Sequence, residues 1–498
     1  MSRSQHERGL LLVLLVALGY ACVHVGFRIW ASSVLGEDDV YDNLLAQDLR
    51  LGYEIRQPPL YDWVLWAVQQ VTGPTLWSFL LIKYAALTAT AGFLYLAAVR
   101  ILGSRLWAFL TVESLALIYQ IAWRYHEGFT HQVLAMVAVA ATLWALLRVI
   151  DGQRLSDFAL LGVIAGLGGL TEPSYSVYLV CLLAAAALQS GLRRRVLRPG
   201  LLLSLVVALL IALPFLWWLL GDPRHLRQLS RAANASGAQV VRGMIDAARG
   251  PVLYLSPLIF FMPFVFPGFL KIAGADLLRR PSRAPDGDLS QLVLHGALIA
   301  VLVSLGGAVV LGIGGYAIHA LMPLYVSSVV WLFSVAMRAH GAELGTRRFA
   351  RLAAAIAVLA LLVRIANMFV LDPVCKTCRW GVPYAALAED LRKHGLERGV
   401  IATFEHPIGG NLRALLPEST FVSRRYPHFT PRSFDPAQRP LALVWSDEFD
   451  LAYARRFLDE LLPAGRSLDE ARRVVVPWRH LWKPEGYRTS VWNVLIIQ

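Results

Sequence analysis

The chain has 498 residues, of which 57% are hydrophobic and only 16% are charged. With a mean hydropathy of +0.53, it is too apolar for a soluble globular protein, and most of it is expected to lie in lipid. The net charge of +13 does not indicate a nucleic-acid partner, because the basic residues cluster in alternate loops between apolar segments.

Apolar segments long enough to cross roughly 30 Å of hydrocarbon recur up to residue 371. They predict a polytopic α-helical membrane domain of residues 1–372 with about eleven spans. The first segment has a long apolar core and no small-residue cleavage pattern, so we predict a retained helix and not a signal peptide. The predicted spans lie near residues 9–30, 76–99, 105–121, 129–149, 157–170, 174–190, 200–220, 251–270, 290–311, 317–337 and 350–371.

The distribution of Lys and Arg predicts the orientation of these spans. Basic clusters such as Arg193, Arg194 and Arg195 are typical of cytoplasmic loops. A cytoplasmic N-terminus and an odd number of spans then place the loop 31–75 and the C-terminal region outside the cytoplasm. We therefore expect a multi-pass protein of the plasma membrane, the inner membrane of a bacterial cell.

One predicted outer loop, 221–250, departs from this charge pattern. It carries five arginines, although basic residues are expected in cytoplasmic loops. Either this preference is overridden here, or the arginines contact an anionic ligand or a lipid headgroup. These residues are Arg224, Arg227, Arg231, Arg242 and Arg249.

Hydropathy falls after Asp372, and residues 373–498 are long enough for one small extracytoplasmic domain. Helical and strand patterns alternate there, which predicts an α/β fold. We expect helices at 383–395, 408–416 and 449–462, and strands at 399–404, 441–445, 474–476 and 491–497.

Two short motifs in this region have local interpretations. Gly409 and Gly410 are interpreted as a loop that enters a helix. Cys375 and Cys378 form a CKTC pair, for which a local disulfide is favoured over a metal site in an oxidising compartment.

The loop between the first two predicted spans is rich in carboxylates. A solvated acidic surface would explain this composition, and it is our interpretation for Asp48, Glu54 and Asp62. The loop as a whole is nevertheless expected to be ordered. Helical spacing over 42–51 places Leu44, Leu45 and Leu49 on one face and predicts a short helix on the membrane surface. With a second amphipathic segment over 61–71, this helix is expected to form a lid over the outer mouth of the helix bundle. The acidic residues are Glu37, Asp38, Asp39, Asp42, Asp48, Glu54 and Asp62.

Three motifs in this loop carry a resemblance: Asp38-Asp39-Val40-Tyr41, Gly52-Tyr53 and Gln57-Pro58-Pro59-Leu60-Tyr61-Asp62-Trp63. In order and spacing the loop resembles the first outer loop of the polyprenyl-phosphate-sugar-dependent glycosyltransferases of family 39. These include protein O-mannosyltransferases and the aminoarabinose and galacturonic acid transferases that act on lipopolysaccharide. Weaker similarities lie at Lys83, at 319–325 and at 409–413.

The resemblance implies the C-type glycosyltransferase fold and an inverting transfer on the outer face of the membrane. A polyprenyl-phosphate-sugar would be the donor, and a hydroxyl of an envelope glycolipid or glycan, such as lipopolysaccharide, the acceptor. A phosphate leaving group needs little protonation, whereas the acceptor hydroxyl needs a base. Asp38 matches the family's first acidic position and is the predicted general base. Asp39 replaces the usual Glu and either orients Asp38 or shares its role.

Other residues are predicted to bind the substrates. The cationic candidates for the donor phosphate are Lys83, Arg124, His319 and Arg364, and for Lys83 a structural ion pair or snorkelling is the alternative. Glu172 is open to two roles, acceptor binding or coordination of a divalent cation, and no other cofactor is expected. The predicted substrate contacts are Tyr41, Gln57, Tyr61, His126 and Glu172.

Two other classes of protein compete with this interpretation. A transporter or flippase of a lipid-linked or anionic solute also has many spans and buried ionisable groups. However, the sequence shows no inverted repeat, and its acidic loop lies outside the membrane plane, whereas a transport site is expected near the middle. A sensor that uses the C-terminal domain as a binding module would not need Asp38.

Overall fold

The computed structural model describes residues 3–225, 237–423, 429–448, 455, 457–463 and 465–498. Helices dominate up to residue 369, and a small mixed sheet follows. The helices of the first part are α1 (Arg3–Ala31), α2 (Glu37–Leu45), α3 (Leu60–Thr72), α4 (Leu76–Leu102), α5 (Arg105–Glu113), α6 (Tyr125–Glu127), α7 (His131–Gly152), α8 (Leu155–Gly169), α9 (Pro173–Leu188), α10 (Ser190–Val196), α11 (Gly200–Gly221), α12 (Ala238–Tyr254), α13 (Leu258–Val265), α14 (Phe269–Leu278), α15 (Leu289–Val310), α16 (Met322–Tyr325), α17 (Val329–Arg338) and α18 (Ala342–Phe369).

Seven described helical segments are long and apolar enough to cross a membrane, or eight if α13 and α14, which meet at 117°, form one bent span. The shorter apolar helices α8 and α9 coincide with two further predicted spans. The predicted span 105–121 is interrupted, because α5 gives way to a 3₁₀ turn at Ser114–Leu117 and a π-helical turn at Gln120–Arg124. The total of eleven spans therefore stays a prediction.

Some arginines of the loop 221–250 have carboxylate partners in the structure. Arg224 pairs with Asp222, and Arg249 pairs with Asp246. Arg227 and Arg231 lie outside the described residues. Nearby carboxylates therefore balance the charge of two of the five arginines in this predicted outer loop.

The C-terminal region contains helices α19 (Tyr384–Lys393) and α20 (His406–Leu415) beside a five-stranded sheet in the order β2-β1-β3-β5-β4. Strands β1, β2 and β3 run parallel, and β5 pairs antiparallel with β3 and β4. The strands are β1 (Val400–Thr403), β2 (Thr420–Ser423), β3 (Leu441–Ser446), β4 (Arg472–His480) and β5 (Lys483–Ile497).

The α/β prediction for this region is confirmed, with differences in detail. Strand β2 was not predicted. Strands β4 and β5 extend well beyond 474–476 and 491–497 as a hairpin. Half of the predicted helix 449–462 lies outside the described residues. A disulfide joins Cys375 to Cys378 where the helical part meets the sheet.

The predicted surface helix over 42–51 is wrong in position and environment. The helix α2 begins at Glu37 and ends at Leu45, so its first turn carries three carboxylates, which favour a helix N-terminus. Leu44 and Leu45 do not face lipid; they are buried in the apolar core of the C-terminal region. The acidic motif therefore lies within a helix that the C-terminal region covers.

Helix α20 packs directly on α2. Gly409 and Gly410 lie inside α20, so the predicted helix 408–416 is confirmed and their separate interpretation as a loop was wrong. A Cβ on Gly410 would lie only 2.7 Å from the Cα of Val40 in α2, which explains why the residue is glycine. The Gly410 carbonyl accepts a hydrogen bond from Nδ2 of Asn43 at 2.8 Å. This close crossing fixes α2 against the C-terminal region.

Arg413 of α20 strengthens the same contact. Its guanidinium is buried and donates to Oδ1 of Asn43 at 2.8 Å and to Oε1 of Gln69 at 2.9 Å. Burial lowers the pKa of Arg413 to about 9, and the charge of Asp48 opposes that shift. Arg413 thus ties α2 and α3 to the C-terminal region through a single side chain.

Candidate active site

Asp38 lies in the first turn of α2 and is half-buried. Burial raises its pKa to about 7, and the charges of Asp42, Asp39 and Glu37 act in the same direction, whereas His131 opposes them. A carboxyl group that titrates near neutrality suits a general base. The structure therefore gives Asp38 the electrostatic property that its predicted role requires.

Asp39 and Lys83 form a buried ion pair between α2 and α4. Oδ1 of Asp39 lies 3.6 Å from Nζ of Lys83, and Oδ2 accepts a long hydrogen bond of 3.4 Å from the backbone N–H of Gly36. Both side chains are almost fully buried. The pair holds Asp39 in place beside Asp38. It also shows that Lys83 forms a structural ion pair, the role that was predicted as the alternative to phosphate binding.

We expect Lys83→Met to lower the free energy of unfolding by about 3–5 kcal/mol, because it leaves Asp39 buried without its cation. Adding Asp39→Asn should restore most of the loss, since the double variant buries no unpaired charge. Thermal unfolding of the detergent-solubilised single and double variants measures both effects. If the single variant unfolds at the wild-type temperature, the ion pair does not stabilise the fold.

Two further buried cations surround Lys83. Arg364 of α18 donates to the carbonyl of His126 at 2.8 Å, and its Nε has no hydrogen-bond partner among the described residues. Arg28 of α1 is buried, donates to the carbonyls of Ser32 and Val34, and was missed by the sequence analysis. The charges of both arginines act on Lys83. An arginine inside the apolar segment 9–30 was the signal that would have indicated Arg28.

Arg124 and His319 come together on the ring of Phe129, at 5.3 Å and 5.4 Å from its centroid. Arg124 is paired at 2.9 Å with both Glu37 and Glu127. A phosphate would therefore compete with two carboxylates for Arg124, whereas Arg364 has a free guanidinium nitrogen among the described residues. Of the predicted phosphate ligands, the structure groups Lys83 with Arg364 and Arg124 with His319.

The predicted substrate contacts occupy different environments. His126 is buried and shares hydrogen bonds with the hydroxyls of Tyr20 at 2.6 Å and Tyr84 at 2.8 Å, which favours a structural role. Tyr41 stacks on His406 of α20 at 3.9 Å. Substrate contact for both residues stays a prediction.

Tyr61 and Gln57 flank the Pro-Pro turn that precedes α3. Tyr61 is fully buried, and its ring lies 5.4 Å from that of His131. Gln57 is half-buried in the loop. The turn thus directs Tyr61 inward, whereas Gln57 stays near the surface.

The interpretation of Asp62 as a solvated residue is wrong. Asp62 is 1% exposed, because the first turn of α3 directs it inward toward Asp42 and His131. Burial raises its pKa well above the usual range, and the charge of His131 opposes that shift. Asp48 is also anchored, since it accepts a hydrogen bond of 2.7 Å from the backbone of Arg432.

Glu172 precedes α9 and lies near the same buried group. It is 7% exposed and accepts a hydrogen bond of 3.2 Å from Ser174. Burial raises its pKa to about 7, whereas the charge of His131 lowers it. The structure therefore places Glu172 close to His131 of α7, for which the sequence indicates only capping or packing.

The comparisons with known proteins agree with this architecture. The family model for dolichyl-phosphate-mannose-protein mannosyltransferase matches residues 56–218. Lipopolysaccharide core galacturonosyltransferase RgtA of Rhizobium johnstonii is 25% identical over 473 residues, 93% of each chain. The galacturonosyltransferase RgtB of the same organism is 26% identical over 437 residues, 86% of this chain and 85% of the relative.

A solved structure shares the fold over nearly the whole chain. The crystal structure of ArnT from Cupriavidus metallidurans, bound to undecaprenyl phosphate, superposes with a TM-score of 0.58 at 15% identity and covers 97% of both chains. The relatives support a glycosyltransferase over a transporter. The chain is an integral-membrane glycosyltransferase with the C-type fold.

Proposed function

We propose that the chain moves a sugar from a polyprenyl-phosphate donor to a hydroxyl of a lipopolysaccharide-like glycolipid, with inversion at the anomeric carbon. The observation that carries this proposal is the position of Asp38, a carboxyl group with a pKa of about 7, next in the chain to Asp39, whose ion-pair partner Lys83 is buried together with Arg364 and Arg28. A base next to a cationic pocket is what displacement of a phosphate by a hydroxyl requires. The relatives, two of them named for lipopolysaccharide, support a lipid-linked donor and a glycan acceptor.

The same proposal includes the cellular arrangement. Residues 1–372 form the domain in the inner membrane, with the N-terminus in the cytoplasm, and residues 373–498 form the extracytoplasmic domain. Helix α20 packs on α2 through the hydrogen bonds of Asn43 with Gly410 and Arg413, which supports the same, outer side of the membrane for the acidic motif and the C-terminal region.

The chemistry follows from the side chains around Asp38. The ionised Asp38 accepts the proton of the acceptor hydroxyl while the hydroxyl oxygen forms a bond to the anomeric carbon. The bond from that carbon to the phosphate oxygen breaks on the opposite face, and the phosphate leaves with the electron pair. Arg364, whose Nε has no hydrogen-bond partner among the described residues, stabilises the charge that remains on the polyprenyl phosphate, together with Lys83 once it exchanges Asp39 for the phosphate. Asp38 then releases its proton to water.

The rate of transfer should fall as the pH drops below about 7, because the protonated form of Asp38 cannot accept the hydroxyl proton. One pH unit below the pKa, about a tenth of the base remains, so kcat should fall about tenfold. The charged groups that act on Asp38 are Glu37, Asp39, Asp42, His131 and Lys83. A pH profile of kcat measures the effect, with Asp222→Asn as a distant control. A flat profile from about pH 5 to about pH 9 would count against Asp38 as the base.

Reconstitution tests the proposed reaction directly. Purified protein in liposomes would receive polyprenyl phosphates that carry galacturonic acid or aminoarabinose, with either lipopolysaccharide or a hydroxyl-bearing peptide as acceptor. We expect the lipopolysaccharide to gain the mass of one sugar, with an inverted anomeric configuration by NMR. Transfer to the peptide alone would overturn the acceptor. Uptake of a solute without any transfer would overturn the function.

A further inference from the structure

Three buried side chains from separate elements meet beneath the acidic motif: Asp42 of α2, Asp62 of α3 and His131 of α7. Each is at most 1% exposed. Nε2 of His131 lies 3.7 Å from Oδ1 of Asp42 and 3.8 Å from Oδ2 of Asp62. One ligand atom from each residue lies within 4.8 Å of the other two. The group therefore has the size of a metal coordination sphere.

Ion pairing of His131 with the two carboxylates satisfies this group only in part. Among the described residues, Oδ2 of Asp42, Oδ1 of Asp62 and both ring nitrogens of His131 have no hydrogen-bond partner. A closed ion pair between imidazolium and carboxylate would bring the heavy atoms to about 2.8 Å, well below the separations seen here. Buried polar atoms without partners are rare, and each needs an explanation.

A bound cation would satisfy these atoms. Ligands of a tetrahedral zinc ion lie roughly 3.4 Å from one another. The side chains would therefore close on the ion from 3.7 and 3.8 Å for the two His131 separations and from at most 4.8 Å between the two carboxylates. Two carboxylates balance the charge of a divalent ion in a buried site. The imidazole favours zinc or another transition metal over magnesium or calcium, which prefer oxygen ligands alone.

We propose that Asp42, Asp62 and His131 bind one divalent transition-metal ion, with zinc as the best match. Three protein ligands leave a fourth position for water or for Glu172, which lies near His131. The ion would join α2, α3 and α7 one helical turn from Asp38. Its function would be to position α2. Binding of the ion is independent of the proposed sugar transfer, whereas this positioning role rests on it.

Metal content tests the proposal in the full-length protein. The purified chain would be stripped with a chelator, loaded with Zn²⁺ or Co²⁺, and analysed by mass spectrometry of the metal. We expect about one ion per chain, a higher unfolding temperature after loading, and a visible absorption band for the cobalt form. His131→Gln and Asp62→Asn should each lose the ion and the band. His295→Gln, a buried histidine outside the group, should retain both.

The outcomes separate this proposal from the proposed function. A wild-type protein that binds neither Zn²⁺ nor Co²⁺ at this site overturns the metal site, whatever its transferase activity. The same conclusion follows if His131→Gln and Asp62→Asn keep the full metal content. If the metal binds but no sugar is transferred, the metal site stands and the proposed function fails.

Discussion

Replacing Asp38 by Asn should lower kcat by about 10²- to 10⁴-fold, because the amide cannot accept the proton of the acceptor hydroxyl. The substitution keeps the shape of the side chain, and it removes a negative charge that burial and the neighbouring carboxylates Asp42 and Asp39 disfavour. The fold should therefore survive, and the unfolding temperature should stay equal to the wild-type value or rise. Binding of the donor should also persist, since the cations around Lys83 are unchanged.

Single-turnover transfer of a labelled sugar, with donor binding measured separately, checks this expectation. Asp222→Asn is the matched control, because it removes a carboxylate that pairs with Arg224 far from α2 in the chain. If Asp38→Asn keeps kcat within about threefold of the wild type, another group is the base. If the Asp38→Asn variant also loses donor binding, Asp38 is needed to bind the donor before any proton is transferred.

The second large effect is expected for Gly410→Ala. The new methyl group would lie 2.7 Å from the Cα of Val40 and overlap the backbone of α2. The helices α20 and α2 would have to separate, at a cost of about 1–3 kcal/mol. This shift would stretch the hydrogen bond between Asn43 and the Gly410 carbonyl and displace Asp38. We expect a lower unfolding temperature and a fall in kcat of at least about tenfold, since small misplacements of catalytic groups are costly.

A helical glycine with open surroundings provides the control. No heavy atom lies within 4 Å of a Cβ built on Gly274 in α14. Alanine there should be neutral or should stabilise the helix by up to about 1 kcal/mol. Equal stability and kcat for Gly410→Ala and Gly274→Ala would show that the contact of α20 with α2 does not position the active site.

Features of the fold that depend only on residues close together in the chain could be predicted from the sequence. Long apolar segments indicated the membrane helices, and the alternation of helix and strand indicated the C-terminal sheet. The order of Asp38, Tyr53 and the Pro-Pro turn indicated a glycosyltransferase, because these residues lie within one short stretch of the chain. Each of these features is encoded locally, so it is visible without the fold.

Features that depend on distant contacts were not predictable. Asp62 looked like a solvated carboxylate because nothing near it in the chain shows that α7 brings His131 against it. Gly409 and Gly410 looked like a loop because their small size serves a helix crossing more than 360 residues away in sequence. The span 105–121 looked continuous because apolar composition does not reveal the π-helical turn at its end.

The contact between α20 and α2 has a consequence for biosynthesis. Arg413 and its partner Asn43 are separated by 370 residues, so the contact that holds α2 forms only after nearly the whole chain has been made. A chain interrupted during synthesis would contain Asp38 and Lys83 but would lack α20, the helix that holds α2 in position. The candidate active site therefore assembles last, and unfinished copies of this membrane protein would not consume the lipid-linked donor.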